Sequence, residues 1–86
     1  MNDQEINQLT QQLAVLEKMA KKVMSKEAIQ RYGNVKLAHP ETAIKAITVI
    51  AQAAQMGQIN QTLSDQDFKA ILLEIQRGKR TFNFRR

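Results

Sequence analysis

Cysteine is absent from these 86 residues, which excludes a disulfide framework and any thiolate metal site, and fits a reducing, cytoplasmic setting. Tryptophan is missing too, and the aromatic side chains are few: Tyr32, Phe68, Phe82 and Phe84. Any core must therefore be built from Ile, Leu, Val, Ala and Met. The chain has one histidine, one proline and three glycines, too few and too scattered for a glycine-rich phosphate loop. No apolar run approaches the roughly 18 residues that a membrane span requires, so no membrane partner is expected. Residues 1–20 lack the apolar stretch and basic flank of a signal peptide. A single small intracellular domain is the expectation, monomeric and without cofactor.

What the chain does have is positive charge, and its placement is uneven. The net charge is +5. The last ten residues hold Arg77, Lys79, Arg80, Arg85 and Arg86 with no acid, while the eight remaining Lys and Arg balance eight Asp and Glu. A neutral body thus precedes a concentrated cation. Such a segment is attracted to any dense polyanion, and nucleic acid is the densest in a cell.

The apolar pattern predicts an all-α fold. Ile6, Leu9, Leu13, Leu16, Ala20 and Val23 alternate at spacings of three and four, one stripe along a helix over about residues 3–24. Asn2 with Glu5 resembles a capping box at its start. Ser25 is the next natural cap, opening a short helix Lys26–Tyr32 that Gly33 is expected to end. Asn34–His39 reads as an extended connector whose Val35 and Leu37 plug into the core. Pro40 restarts the helix at its first turn, where the missing N–H costs nothing. That helix, Pro40–Met56, is expected to turn Ile44, Ile47, Ile50, Ala51 and Ala54 inward and to end at Gly57. The last helix begins at Ser64, with Asp67 completing a capping box and Leu63 packing on Phe68. Phe68, Ile71, Leu72 and Ile75 follow at helical spacing, and Gly78 closes the helix. The expected organisation is an N-terminal amphipathic helix over 1–24, a compact three-helix core over 25–77, and a disordered basic tail over 78–86.

Little points to catalysis. His39 has no serine or carboxylate spaced to form a relay, and its place before Pro40 reads as a helix start. Asp65 and Asp67 fall in the first turn of a helix, where carboxylates answer the positive end of the dipole. They cannot build a metal site, because hard cations need more converging oxygens. A non-enzymatic protein without metal is expected.

The basic segment supports binding more directly. Phe82 and Phe84 sit between its two cationic clusters. Rings placed so can stack on bases while the cations hold phosphates, or they can fold back on the bundle and anchor the segment. A second basic group comprises Lys18, Lys21, Lys22 and Lys26. Lys18 and Lys22 share a helix face that Lys26 is expected to continue, and Lys36 and Arg31 can join it from the connector. The helix from Ser64 is too acidic in its first turn to enter a major groove by that end. Contacts are therefore expected to be largely independent of sequence.

At this point the residues resemble a known family. Ser25-Lys-Glu-Ala28, then Tyr32-Gly-Asn-Val-Lys-Leu37 and Pro40-Glu41, look like the central signature of the programmed cell death protein 5 family. The likeness continues through Ile50-Ala51-Gln52-Ala53-Ala54-Gln55-Met56-Gly57-Gln58-Ile59 and Leu63-Ser-Asp-Gln66, and ends at Lys79-Arg80 and Phe84-Arg85-Arg86. It covers residues 25–86; residues 1–24 match in character alone. Lacking the acidic C-terminal extension of eukaryotic members, the chain is similar to the archaeal branch, whose members are described as DNA-binding proteins. The resemblance implies a three-helix core and binding of double-stranded DNA through Lys79, Arg80, Arg85 and Arg86. The chain departs from the family at Tyr32-Gly33, where Leu and a small residue are usual. It also carries less charge over 58–66, which removes that loop from the expected phosphate contacts.

Two functions follow. The first is a DNA-binding protein using Arg77, Lys79, Arg80, Arg85 and Arg86, extended by Lys18, Lys22 and Lys36. The second is a protein-interaction module whose docking surface is the Ile6–Val23 stripe; eukaryotic relatives, by the same resemblance, bind protein partners including the cytosolic chaperonin.

Overall fold

A computed structural model describes residues 3–78, with side chains from Thr10 onward. Four helices follow one another: α1 (Asp3–Lys21), α2 (Lys26–Ala38), α3 (Pro40–Gln55) and α4 (Asp65–Gln76). Among the described residues no strand forms, and the fold is all-α. Asn2, the expected first cap, and residues 79–86 of the expected tail lie outside the described residues.

The centre of the bundle is α3, which packs against each of the other three helices. Its composition explains how. Ala43, Ala46, Ala51 and Ala53 are buried beside Ile47 and Ile50, and small side chains let three neighbours approach one rod closely. Only part of this face matches expectation. Ile44 is 36% exposed, while Ala43 and Ala46 are fully buried. The buried face is turned toward the alanines because close helix contacts select small residues over the larger isoleucine.

The starts and stops of the helices follow local chemistry. Ser25 caps α2, its Oγ accepting from the Ala28 N–H at 3.0 Å. At α4 the Ser64 Oγ accepts from the Asp67 N–H at 3.1 Å, and the Asp67 carboxylate accepts from the Ser64 N–H at 3.0 Å. Both partners of this box satisfy amides that a helix start leaves open. Gly57, at φ +72°, ends α3 in the left-handed conformation that favours glycine, and the Gln58 N–H reaches back to the Ala53 carbonyl at 2.9 Å.

The expected stop at Gly33 does not occur. α2 runs through it to Ala38, and Gly33 has no positive φ. Glycine permits a left-handed stop without demanding one, and the chain gains by continuing. Helical geometry brings Val35 against the core and Lys36 to a carboxylate on α1. The stop comes at Pro40, whose ring keeps His39 out of the helical conformation, at φ −139° and ψ 73°. The expected connector is therefore helix. Leu37, expected in the core, is 87% exposed.

The described part of the α1 stripe turns inward. Ala20 is fully buried, and Leu13, Leu16 and Val23 pack against the core, with α1 lying along α3. Two backbone hydrogen bonds join the α1–α2 corner to the loop before α4. Leu63 N–H donates to the Val23 carbonyl at 2.7 Å, and Ser25 N–H donates to the Leu63 carbonyl at 2.8 Å. The central helix is thus enclosed from both ends of the sequence.

Candidate nucleic-acid interface

The body's charges divide into those held by internal partners and those facing solvent. Glu17 on α1 is the centre of the first group. It accepts from the Tyr32 hydroxyl and from the Lys36 ammonium at 2.7 Å. Tyr32 is only 2% exposed. Its ring meets Phe68 edge to face, with centroids 6.3 Å apart, and the Lys36 and Lys21 ammoniums lie 5.8 and 6.0 Å from its centroid. Burial pushes the Glu17 carboxyl up, but the hydrogen bonds from Lys36 and Tyr32 and the charges of Lys36 and Lys21 outweigh it, so it titrates below its ordinary value. Burial and then Glu17 push the Tyr32 hydroxyl well up.

The second internal pair joins α2 to α4. The Arg31 guanidinium grips Asp65 with two parallel hydrogen bonds, Nε to Oδ1 and Nη2 to Oδ2, the latter at 2.9 Å. Such fork geometry is specific to arginine. The bond from Arg31 holds the Asp65 carboxyl below its ordinary value. Asp65 thus has a partner that the sequence reading missed. That reading gave it only the helix dipole, because Arg31 is distant in sequence.

The sequence-predicted cations fall into separate places. Lys36 sits in the Glu17 pair, its ammonium already bonded. Lys18 and Lys22 are exposed at the end of α1 and the turn after it. Lys26, expected to continue their face, instead opens α2 beyond the corner, because the chain turns at Lys22–Ser25. No carboxylate lies within 4 Å of Lys18, Lys22 or Lys26 among the described residues. Arg77 follows the last turn of α4, exposed. Lys79, Arg80, Arg85 and Arg86 lie outside the described residues. Within those residues no group of three or more His, Cys, Asp or Glu could hold a metal, and no helix is long and apolar enough to cross a membrane.

Comparison with known proteins places this arrangement. Residues 1–86 match the family described as a double-stranded DNA-binding domain. The chain belongs to that family, the one whose signature its central residues resemble. It is a family of DNA-binding domains and not of enzymes. A DNA-binding protein of Thermococcus kodakarensis is 38% identical over 73 residues, covering 84% of this chain and 65% of the relative. One of Methanocaldococcus jannaschii is 39% identical over 57 residues, covering 66% and 52% respectively. One of Pyrococcus horikoshii is 33% identical over 63 residues, covering 73% and 55%. The chain therefore spans roughly half to two thirds of the length of these archaeal relatives. No solved structure matches it.

Proposed function

We propose that the chain is a non-enzymatic module that binds double-stranded DNA through largely sequence-independent phosphate contacts. The observation that carries the reading is the match of the whole chain to a family described by that activity. The charge distribution gives it a mechanism. Arg77, Lys79, Arg80, Arg85 and Arg86 supply the net charge of +5 in one short segment, and Lys18 and Lys22 add exposed ammoniums on the body. Lys36 is set apart from these, because contact with phosphate would require it to leave Glu17. Competition from the protein-interaction reading is reduced, since the described part of the α1 stripe is already packed on the chain's own core.

The test is fluorescence anisotropy with a labelled duplex, comparing the full chain with a 1–77 truncation across a salt series. Five phosphate contacts predict a binding constant that falls about 500-fold between about 50 and 200 mM salt, from a slope of roughly −0.9 per contact. The truncation is expected to bind weakly and with a shallow slope. Equal affinity for both forms defeats the terminal-segment mechanism, and absence of binding at about 50 mM salt defeats the reading itself.

A further inference from the structure

The outer face of α2 has no role in the chain's own packing. At about 100° per residue, Lys26, Gln30, Gly33, Asn34 and Leu37 fall in one band opposite the buried Ala28 and Tyr32, and all five are exposed. Leu37 is the most exposed large apolar residue among those described. Gly33 is the most informative member. Glycine weakens a helix interior, yet nothing inside the molecule calls for it here. A Cβ at this position would meet no atom within 4 Å, and its φ is not positive. What its small size leaves is room outside, where another surface can approach the helix backbone closely.

The side chains around that gap have a definite chemistry. Gln30 and Asn34, four residues apart, are neighbours on the helix surface. A carboxamide offers a donor and an acceptor side by side, the pattern that pairs with the adenine edge in a major groove, and an apolar side chain suits the thymine methyl. Lys26 starts the same band, with no carboxylate within 4 Å of it among the described residues. On the flank the Arg31–Asp65 pair neutralises itself. Glu27 borders the band, about 60° around the helix from Gln30 and about 20° from Asn34. A groove of about 430 Å³ runs beside Gln30 and Asn34, leaving that side of the helix open.

We propose that α2 lies against the major groove of duplex DNA, with Lys26 on a phosphate and Gln30, Asn34 and Leu37 toward the base edges, the approach made close by Gly33. The proposal rests on the DNA-binding reading above and adds one base-directed surface to contacts that are otherwise made to phosphate. The Lys26 ammonium, unpaired among the described residues, and the amide pair favour this occupant over a protein helix.

The experiment uses the full chain, a labelled A·T-containing duplex and a salt series. Gly33→Leu adds bulk where the molecule itself has open space, and circular dichroism confirms that helix and melting temperature persist. The double variant Gln30→Ala/Asn34→Ala alters exposed side chains alone and covers the case in which Gly33→Leu fails to fold. Each is expected to weaken binding about tenfold, the scale of one good base contact, with an unchanged slope against salt. Lys26→Ala is expected to reduce that slope by about 0.9. Unchanged affinity in the folded Gly33→Leu chain and in the double variant overturns the proposal, even when the 1–77 truncation confirms the terminal segment. A Gly33→Leu chain that keeps its DNA affinity but alters self-association in sedimentation overturns it in favour of a protein-docking face. If the unsubstituted chain binds no duplex at low salt, both readings fall.

Discussion

The junction between α1 and α2 and the junction between α2 and α4 use the same elements, a carboxylate and a cation, at different depth. At the first, the Glu17 side chain is 17% exposed and also takes the hydroxyl of a tyrosine that is itself in the core. At the second, Arg31 and Asp65 are 38% and 34% exposed and touch no buried polar group. An ion pair in water is worth little because solvent screens it and two long side chains lose freedom to form it. A carboxylate that satisfies a buried hydroxyl is different, since removing it leaves that hydroxyl without a partner. The α1–α2 junction should therefore report on the stability of the whole bundle, and the α2–α4 junction mainly on the orientation of α4.

The largest effect tests whether the first junction belongs to the core. Tyr32→Ala removes a ring that is 2% exposed, its edge contact with Phe68 and two nearby ammoniums. The expected loss is about 3–5 kcal/mol, the range for deleting a large buried aromatic, read from urea unfolding followed by circular dichroism. In a bundle this small, a loss of that size leaves little folded protein. A loss below about 1 kcal/mol would place Tyr32 outside the core and erase the contrast between the junctions.

Next in size is Glu17→Gln, which keeps the shape and removes the charge. Leaving the Tyr32 hydroxyl and Lys36 poorly satisfied is expected to cost about 1–3 kcal/mol. Tyr32→Phe removes the other end of the same bond while keeping the ring, at about 0.5–1.5 kcal/mol. Combining the two should cost less than the sum of the single changes, because both delete one interaction. Strict additivity in this cycle would mean that Glu17 and Tyr32 act separately.

These junctions also mark where the sequence stops being informative. The capping box at Ser64 and Asp67, the helix start at Pro40 and the stop at Gly57 were legible, because each depends on residues within one turn. The membership in a DNA-binding family was legible in the ordered motifs over residues 25–86. Gly33 was misread because a permissive residue looks the same whether or not the chain uses its freedom. Val35 and Lys36, which carry the helix past it, gain only through contacts with other elements. Glu17 bonds partners 15 and 19 residues away, and Arg31 reaches 34 residues to Asp65; no local pattern predicts such pairings. The misread stop also concealed the candidate site on α2, since a helix ending at Tyr32 cannot present Gln30, Asn34 and Leu37 as one face. Charge counting found the basic groups but could not say that Lys36 was already engaged.

The smallest effect separates the two junctions by pH. Asp65→Asn breaks the fork with Arg31 and is expected to lower the melting temperature by less than Glu17→Gln does. Both carboxyls titrate below their ordinary values when folded, 4.5 for Glu17 and 3.8 for Asp65. Each therefore stabilises the fold above its ordinary value, and that stabilisation is lost as pH falls through the lower, folded one. Differential scanning calorimetry from neutral pH downward should show the parent and Glu17→Gln curves beginning to converge only once pH falls below the ordinary value of 4.5, and those of the parent and Asp65→Asn only once it falls below 3.8. Added salt supplies an independent axis. It should shrink the Asp65→Asn difference at neutral pH while leaving most of the Glu17→Gln difference, because exposed charges are screened and the bond to the buried tyrosine is not. Equal salt sensitivity at the two sites would show that depth does not distinguish them.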